Sequence, residues 1–440
     1  MLITHARLAD GRDVDVRIDG ESIAAVEPAG SLSADGDERE LDADGRLLLP
    51  GAIDAHVHFR EPGYSHKETW ETGSKSAAAG GVTTVVDQPN TSPPTVDGDA
   101  FDEKVELAKK SLVDYGISGG VTESWDPDSL FERPLFALGE VFLADSTGDM
   151  GIDADLFSDA VARAADAGVT VSVHAEDAEL FDESARDRDA GGDGRDADAG
   201  LWSAFRTAGA EAAAVERALE VGAESAASIH IAHTSTPEGV DAASEAGATC
   251  EVTPHHLLLS RENLDELGTY GRMNPPLRSE ERREAIYERV ADGTVDIVAT
   301  DHAPHTREEK ETDLWNAPSG VPGVETMLPL LLNEAREGRL TYERVRDLTA
   351  ANPACIFDLP QKGRVDAGRD ADLVLVDTGK SRAIRGDDLH GNCEWTPFED
   401  FAGVFPDVTL RRGDVVYDPA GETGAISGVF GDADGANVRT

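Results

Sequence analysis

Between residues 51 and 360 the chain alternates short apolar runs with helical stretches, and this alternation narrows the fold more than any other feature. Eight runs read as strands, at 52–59, 83–88, 115–121, 135–143, 169–175, 228–233, 249–254 and 295–300. Helical stretches separate most of them, among them 67–79, 153–167, 211–221 and 279–291. Eight strand–helix alternations point to an α/β fold, a (β/α)8 barrel of the TIM type, whose functional residues stand at the C-terminal strand ends. The first fifty residues read instead as short strands. Residues 14–18 alternate with period two, Asp19-Gly20 offers a hairpin turn, and 22–26 follow. The other end is similar: 371–376 is a buried-strand run, and 408–410 turn through Arg412-Gly413-Asp414 into 415–417. Both ends therefore predict one small β-sandwich domain, built from 1–50 and 361–440, beside a barrel domain at 51–360. Segment 182–200 is acidic, glycine-rich and without apolar periodicity, and reads as a mobile surface loop.

A barrel should gather polar residues where its strands end, and these do. The first strand ends in Asp54-Ala55-His56-Val57-His58, where alternation puts His56 and His58 on one face. Two imidazoles so placed can chelate a single ion. The fifth strand ends at His174, the sixth in His230-Ile231-Ala232-His233, and the eighth in Thr300-Asp301-His302. His56, His58, His174, His233 and Asp301 thus converge on one mouth, the pattern of a metal centre.

At these residues the chain resembles a known family. Gly51-Ala52-Ile53-Asp54-Ala55-His56-Val57-His58-Phe59-Arg60-Glu61-Pro62-Gly63 is similar to the opening signature of the dihydroorotases, in the cyclic-amidohydrolase group of the amidohydrolase superfamily. Further matches are Gln88-Pro89-Asn90, His174-Ala175-Glu176-Asp177, Met273-Asn274-Pro275-Pro276-Leu277-Arg278 and Ala299-Thr300-Asp301-His302-Ala303-Pro304-His305. Residues 368–374 resemble the superfamily's C-terminal β segment, so the likeness covers nearly the whole chain. It implies reversible, zinc-dependent hydrolysis of (S)-dihydroorotate to N-carbamoyl-L-aspartate, in pyrimidine biosynthesis. It implies two zinc ions per subunit sharing a hydroxide, one held by His56, His58 and Asp301 and the other by His174 and His233. Asp301 would take the hydroxide's proton and deliver it to the departing ring nitrogen. The implied substrate contacts are His58, Arg60, Asn90, Asn274, His305 and backbone groups near Ser319 and Gly320, with the planar fork of Arg60 suited to a carboxylate. His230 and His302 remain as structural neighbours, and His255 and His256 as packing.

One position departs from a familiar pattern. Many relatives carry a lysine at the end of the fourth strand, carbamylated so that it bridges the metals. Here that strand reads Leu138-Gly139-Glu140-Val141-Phe142-Leu143, and no lysine lies between Lys110 and Lys310. No carbamylated lysine is therefore expected. Glu140 aligns with the lysine and is expected to bridge the metals, with Asp145 as second candidate. Allantoinases and the dihydropyrimidinase or hydantoinase group share the chemistry, but the arginine just past His-x-His, Arg60, sets this chain apart, because their substrates lack the carboxylate. Inactive dihydroorotase-like scaffolds for aspartate transcarbamoylase lose metal ligands, whereas this chain keeps four histidines and Asp301.

Charge bounds the partners. With 87 acidic against 39 basic residues the formal charge is −48, which argues against nucleic acid and anionic membranes. The acids are spread along the chain, and only eight of the basic residues are lysines. Such a surface repels itself unless counterions screen it, so a salt-rich cytoplasm is expected. No run of eighteen apolar residues occurs, and MLITHARLAD lacks a basic stretch followed by an apolar core, so neither a bilayer span nor a signal peptide is expected. Cys250, Cys355 and Cys393 lie too far apart for a disulfide framework or a CxxC zinc site. A small-molecule substrate is the expected partner. A homo-oligomer and an association with aspartate transcarbamoylase are both compatible with the sequence.

Overall fold

The computed structural model describes residues 1–145 and 150–440. It begins with five strands, β1 (Leu2–Leu8), β2 (Asp13–Asp19), β3 (Ser22–Pro28), β4 (Glu40–Asp42) and β5 (Leu47–Pro50). Period two is plain in β1, where Ala6 and Leu8 are buried and His5 and Arg7 exposed. Gly20 turns β2 into β3 with φ +58°, a left-handed value that glycine adopts freely.

Eight strands follow: β6 (Ala52–Val57), β7 (Val82–Asp87), β8 (Asp114–Ile117), β9 (Leu138–Phe142), β10 (Val171–His174), β11 (Ile229–Ile231), β12 (Thr249–Val252) and β13 (Ile297–Val298). All but Thr249 are buried throughout, as parallel strands covered by helices must be. They pair in chain order as parallel sheets of three (β6–β8) and five (β9–β13). Single parallel bridges, Gly119 to Leu138 and Val57 to His302, span the two seams between these sheets.

The covering helices start from their caps. Thr69 accepts from the Thr72 amide to open helix Trp70–Ala79, and Asp153 accepts from Leu156 to open Ala154–Ala167. Helices Ala208–Ser225 and Glu280–Asp292 complete the four expected from periodicity.

Five more strands close the chain: β14 (Leu373–Val376), β15 (Arg382–Ala383), β16 (Ala402–Gly403), β17 (Val408–Arg411) and β18 (Asp414–Tyr417). β14, β17 and β18 join the N-terminal strands in one mixed eight-stranded sheet, ordered β18-β17-β14-β5-β1-β2-β3 with β4 on β1. Its own core includes Ile3, Val16, Ile23, Leu373 and Leu410. The last residues leave this sheet: Tyr115 donates to the Ala436 carbonyl and Val438 to that of Tyr115, both at 2.9 Å. Lys362 also ties the parts together, its Nζ lying 2.8 Å from Asp114 Oδ2 and 2.5 Å from Asp372 Oδ2. Removing one partner of a buried pair of this kind costs roughly 3–5 kcal/mol.

Segment 182–200 departs from expectation. It carries two 3-10 turns, Glu183–Asp187 and Gly194–Asp196, and buries Ala185, Ala197 and Ala199 against Trp202, Phe205, Leu264 and Leu267. Its apolar contacts are made by isolated alanines, which leave no periodicity to read. Among the described residues, no helix is long and apolar enough to cross a membrane.

Candidate active site

The turn after β6 is built by a buried ion pair. Asp87 Oδ1 accepts from the Phe59 amide at 2.6 Å, while Lys104 Nζ donates to Asp87 Oδ2 at 2.7 Å. On the other side the His58 amide donates to the His302 carbonyl at 2.8 Å. Three non-glycine residues beside the mouth hold left-handed backbone: Arg60 at φ +66°, His233 at +34° and Asp301 at +46°. Each such residue costs on the order of 1–3 kcal/mol and persists only where its surroundings dictate it. For His233 the constraint is visible, since its amide donates to Glu251 Oε1 at 3.1 Å. Gly139, at φ +144°, places Glu140, because any Cβ there would collide with the Ser172 carbonyl oxygen.

The predicted ligands meet. His56, His58 and Asp301 offer donor atoms within 4.8 Å of one another, as do His56, Glu140 and His233. Glu140 Oε1 lies 2.5 Å from His233 Nε2 and 2.9 Å from His174 Nδ1, and Oε2 lies 3.4 Å from His56 Nε2. Outer carboxylates and an amide fix the imidazoles: His56 Nδ1 sits 2.6 Å from Glu251, His174 Nε2 sits 3.1 Å from Glu176, and His58 Nδ1 sits 2.6 Å from Asn90 Oδ1. Each contact turns the other ring nitrogen inward, as metal-ligating histidines require. His56 Nε2 is buried and has no hydrogen-bond partner among the described residues.

The electrostatics favour a cation. Burial lowers the His56 imidazole, but Glu251 and Glu140 outweigh it and raise it well above its ordinary value. Burial likewise raises the Asp301 carboxyl, yet the His58 hydrogen bond and the His56 charge hold it below the usual carboxylate range. Carboxylates that stabilise imidazolium this strongly would stabilise a divalent ion too, and the nitrogen and oxygen donor set suits zinc.

A narrow cleft opens beside the cluster. Its walls include His58, Arg60, Asn90, Asn274, Ser319 and Gly320, and His305 stands just behind. His305 is held on both ring nitrogens: Nδ1 faces Lys67 Nζ at 3.1 Å, and Nε2 lies 2.9 Å from the Ser319 carbonyl oxygen and 3.2 Å from Arg60 Nη2. Burial and the adjacent Arg60 push this imidazole well below its ordinary value, which keeps it neutral. The Arg60 guanidinium is buried beside it, donating to the Pro304 carbonyl at 3.2 Å.

The remaining sequence candidates fall elsewhere. Asp145, the second bridging candidate, is exposed and its Oδ1 accepts from the Gly151 amide at 2.7 Å; the structure does not bring it to the cluster. His302 is buried with Nδ1 accepting from Gly323 at 3.1 Å, and His230 contacts Thr249 and Glu251. His256 bonds Thr253 and the Pro275 carbonyl. Sequence reading missed Glu251, the Glu176–Arg206 pair and Lys310, whose Nζ donates to Arg272, Pro318 and Gly320 carbonyls and so holds the Ser319-Gly320 wall. A charged residue inside an apolar strand was the available signal for Glu251. In a chain with 87 acids, that signal is faint.

The chain's likeness to known proteins agrees with this geometry. A model of the amidohydrolase family matches residues 47–416. The chain is 66% identical to the dihydroorotase of Halobacterium salinarum, covering 100% of this chain and 99% of that one. It is 44% identical to the dihydroorotase of Methanosarcina mazei, over 86% of this chain and 85% of the relative. An allantoinase from Rubrobacter xylanophilus is 38% identical, over 92% and 93%. Among solved structures, the L-hydantoinase (dihydropyrimidinase) of Arthrobacter aurescens matches with a TM-score of 0.90 at 26% identity, over 99% and 98%. A metal-ready cluster on this fold places the chain in the amidohydrolase family. Within it the chain belongs with the dihydroorotases, metal-dependent hydrolases of cyclic amides.

Proposed function

We propose that this protein opens the ring of (S)-dihydroorotate to N-carbamoyl-L-aspartate, and closes it in reverse, as a cytoplasmic step of pyrimidine biosynthesis. Arg60 carries the reading. Its guanidinium is 2% exposed, and among the described residues no carboxylate oxygen lies within ion-pair distance. Asp301, Asp87 and Glu309 act on its charge only from beyond that distance, so burial still disfavours the cation, and an entering carboxylate would supply the direct pair. Dihydroorotate brings one; allantoin and dihydrouracil do not.

Two zinc ions, one at His56, His58 and Asp301 and the other at His174 and His233 with Glu140 between them, would when bound polarise the amide carbonyl and acidify water. The chain's own groups do the rest. Arg60, with neutral His305 behind it, takes the substrate carboxylate and fixes the ring against Asn90 and Asn274. Asp301, ionised because His58 and His56 depress its carboxyl, accepts a proton from the attacking water. The C–O bond forms in that attack, and Asp301 then returns the proton to the ring nitrogen as the C–N bond breaks. His58 holds Asp301 in place at 2.9 Å and is itself oriented by Asn90.

The scaffold reading follows the same residues. The three- and five-stranded sheets, bridged at both seams, are read as one closed (β/α)8 barrel spanning 51–360, with a small β-sandwich domain from 1–50 and 361–440. Loss of dihydroorotate's ultraviolet absorbance, with metal content measured on the same sample, tests the activity. Ring opening that requires bound metal is expected; fully metallated protein without ring opening overturns the proposal.

A further inference from the structure

We infer that Trp202 is a positioning residue that sets the amide orientation of Asn274 and thereby the fit of the substrate ring. The inference rests on the proposed role of Asn274 as a ring contact. Trp202 lies in the short helix Gly200–Phe205, directly after segment 182–200, and its ring is buried. Its Nε1 donates to Asn274 Oδ1 at 3.0 Å and to the Met273 carbonyl at 3.1 Å. An indole N–H is a donor only, so the Asn274 oxygen must face Trp202 and the amide's N–H end must turn away from it. Asn274 is also a wall residue of the cleft, so this choice decides which end of the amide the cleft receives.

The indole itself is clamped. The Arg272 guanidinium stacks on its face at 3.7 Å from the ring centroid, and Arg206 stands at 5.7 Å. Arg206 is locked on Glu176 at 2.6 Å, and Glu176 is the residue that orients His174. One run of contacts, His174–Glu176–Arg206–Trp202–Asn274, therefore joins the metal-ready cluster to the ring wall. Segment 182–200 packs against the same aromatic group through Ala185, Ala197 and Ala199.

The test is a double-mutant cycle on the metal-loaded enzyme, with Trp202→Phe, Asn274→Ala and the pair, reading kcat, KM, metal content and Tm. Trp202→Phe keeps an aromatic ring, though a smaller one, and removes the N–H, so KM for dihydroorotate should rise about tenfold with kcat within about twofold and metal retained. Asn274→Ala should raise KM at least as much, and the pair should be no worse than Asn274→Ala alone. Independent, multiplying effects, or an unchanged KM in Trp202→Phe beside a raised one in Asn274→Ala, overturn the inference. An unchanged KM in Asn274→Ala overturns the ring-contact reading of Asn274 itself. Should Trp202→Phe unfold, benzothienylalanine at position 202, which replaces N–H by sulfur in a ring of the same outline, takes its place. A normal KM in that protein overturns the inference as well.

Discussion

Glu251 Oε1 lies 2.6 Å from His56 Nδ1, and the same oxygen accepts from the His233 amide at 3.1 Å. The other oxygen, Oε2, lies 3.2 Å from His230 Nε2. One carboxylate thus sets the ring of one site histidine and the backbone of another. Burial raises the Glu251 carboxyl, but His56 and His230 outweigh it and hold it well below the usual range. Glu251→Gln should weaken zinc affinity by about 10–100-fold while leaving the fold intact. Competition with a zinc chelator checks this, and unchanged affinity would remove Glu251 from the account.

Glu140 and Asp145 separate cleanly. Glu140→Gln should lose at least one metal and most activity, because its carboxylate is the oxygen donor shared among His56, His174 and His233. Asp145→Asn should do neither, since Asp145 serves the Gly151 amide. Metal analysis of both variants decides it. With no lysine between Lys110 and Lys310, activity should also be indifferent to added bicarbonate.

All eight central strands were legible in the sequence, yet each expected run extends past the observed strand at its C-terminal end. The reason is functional. His58, His233 and Asp301 follow their strands, and the left-handed backbone of the latter two breaks the ladder that alternation would continue. The proposed ligands were legible because His-x-His and strand-end histidines stand out in the alternation. Glu251, Lys310 and Trp202 were not: Glu251 and Trp202 act through His56 and Asn274, brought from far along the chain, and Lys310 through backbone carbonyls of the irregular loop after it. Periodicity carries no trace of such contacts.

Salt should govern stability. A formal charge of −48 repels itself over the surface, and the Debye length shrinks from about 10 Å at 0.1 M to about 3 Å at 1 M salt. The melting temperature should therefore climb steeply between dilute buffer and molar potassium chloride. A flat profile would contradict this.

Acid should destabilise the fold through His256 even at constant high salt. Burial lowers its imidazole to about 4, only partly opposed by its hydrogen bond to the Pro275 carbonyl. The folded value lies below the unfolded one of about 6.5, so between those pH values the unfolded chain binds more protons and stability falls as pH drops. The loss is on the order of 3 kcal/mol across the window. Denaturation at pH 7 and pH 4.5 in molar salt, on wild type and His256→Gln, checks it: the variant should show a shallower slope, and equal slopes would exclude His256 as the cause.

The most direct measurement is kcat/KM for dihydroorotate, allantoin and dihydrouracil on one metal-loaded sample, with Arg60→Gln beside the wild type. Dihydroorotate should lead by on the order of 10²-fold or more, and Arg60→Gln should erase most of that lead through KM, because the buried cation that pairs with the carboxylate is gone. A higher kcat/KM for allantoin or dihydrouracil, or an Arg60→Gln enzyme with unchanged preference, would contradict a site built around a carboxylate-bearing cyclic amide.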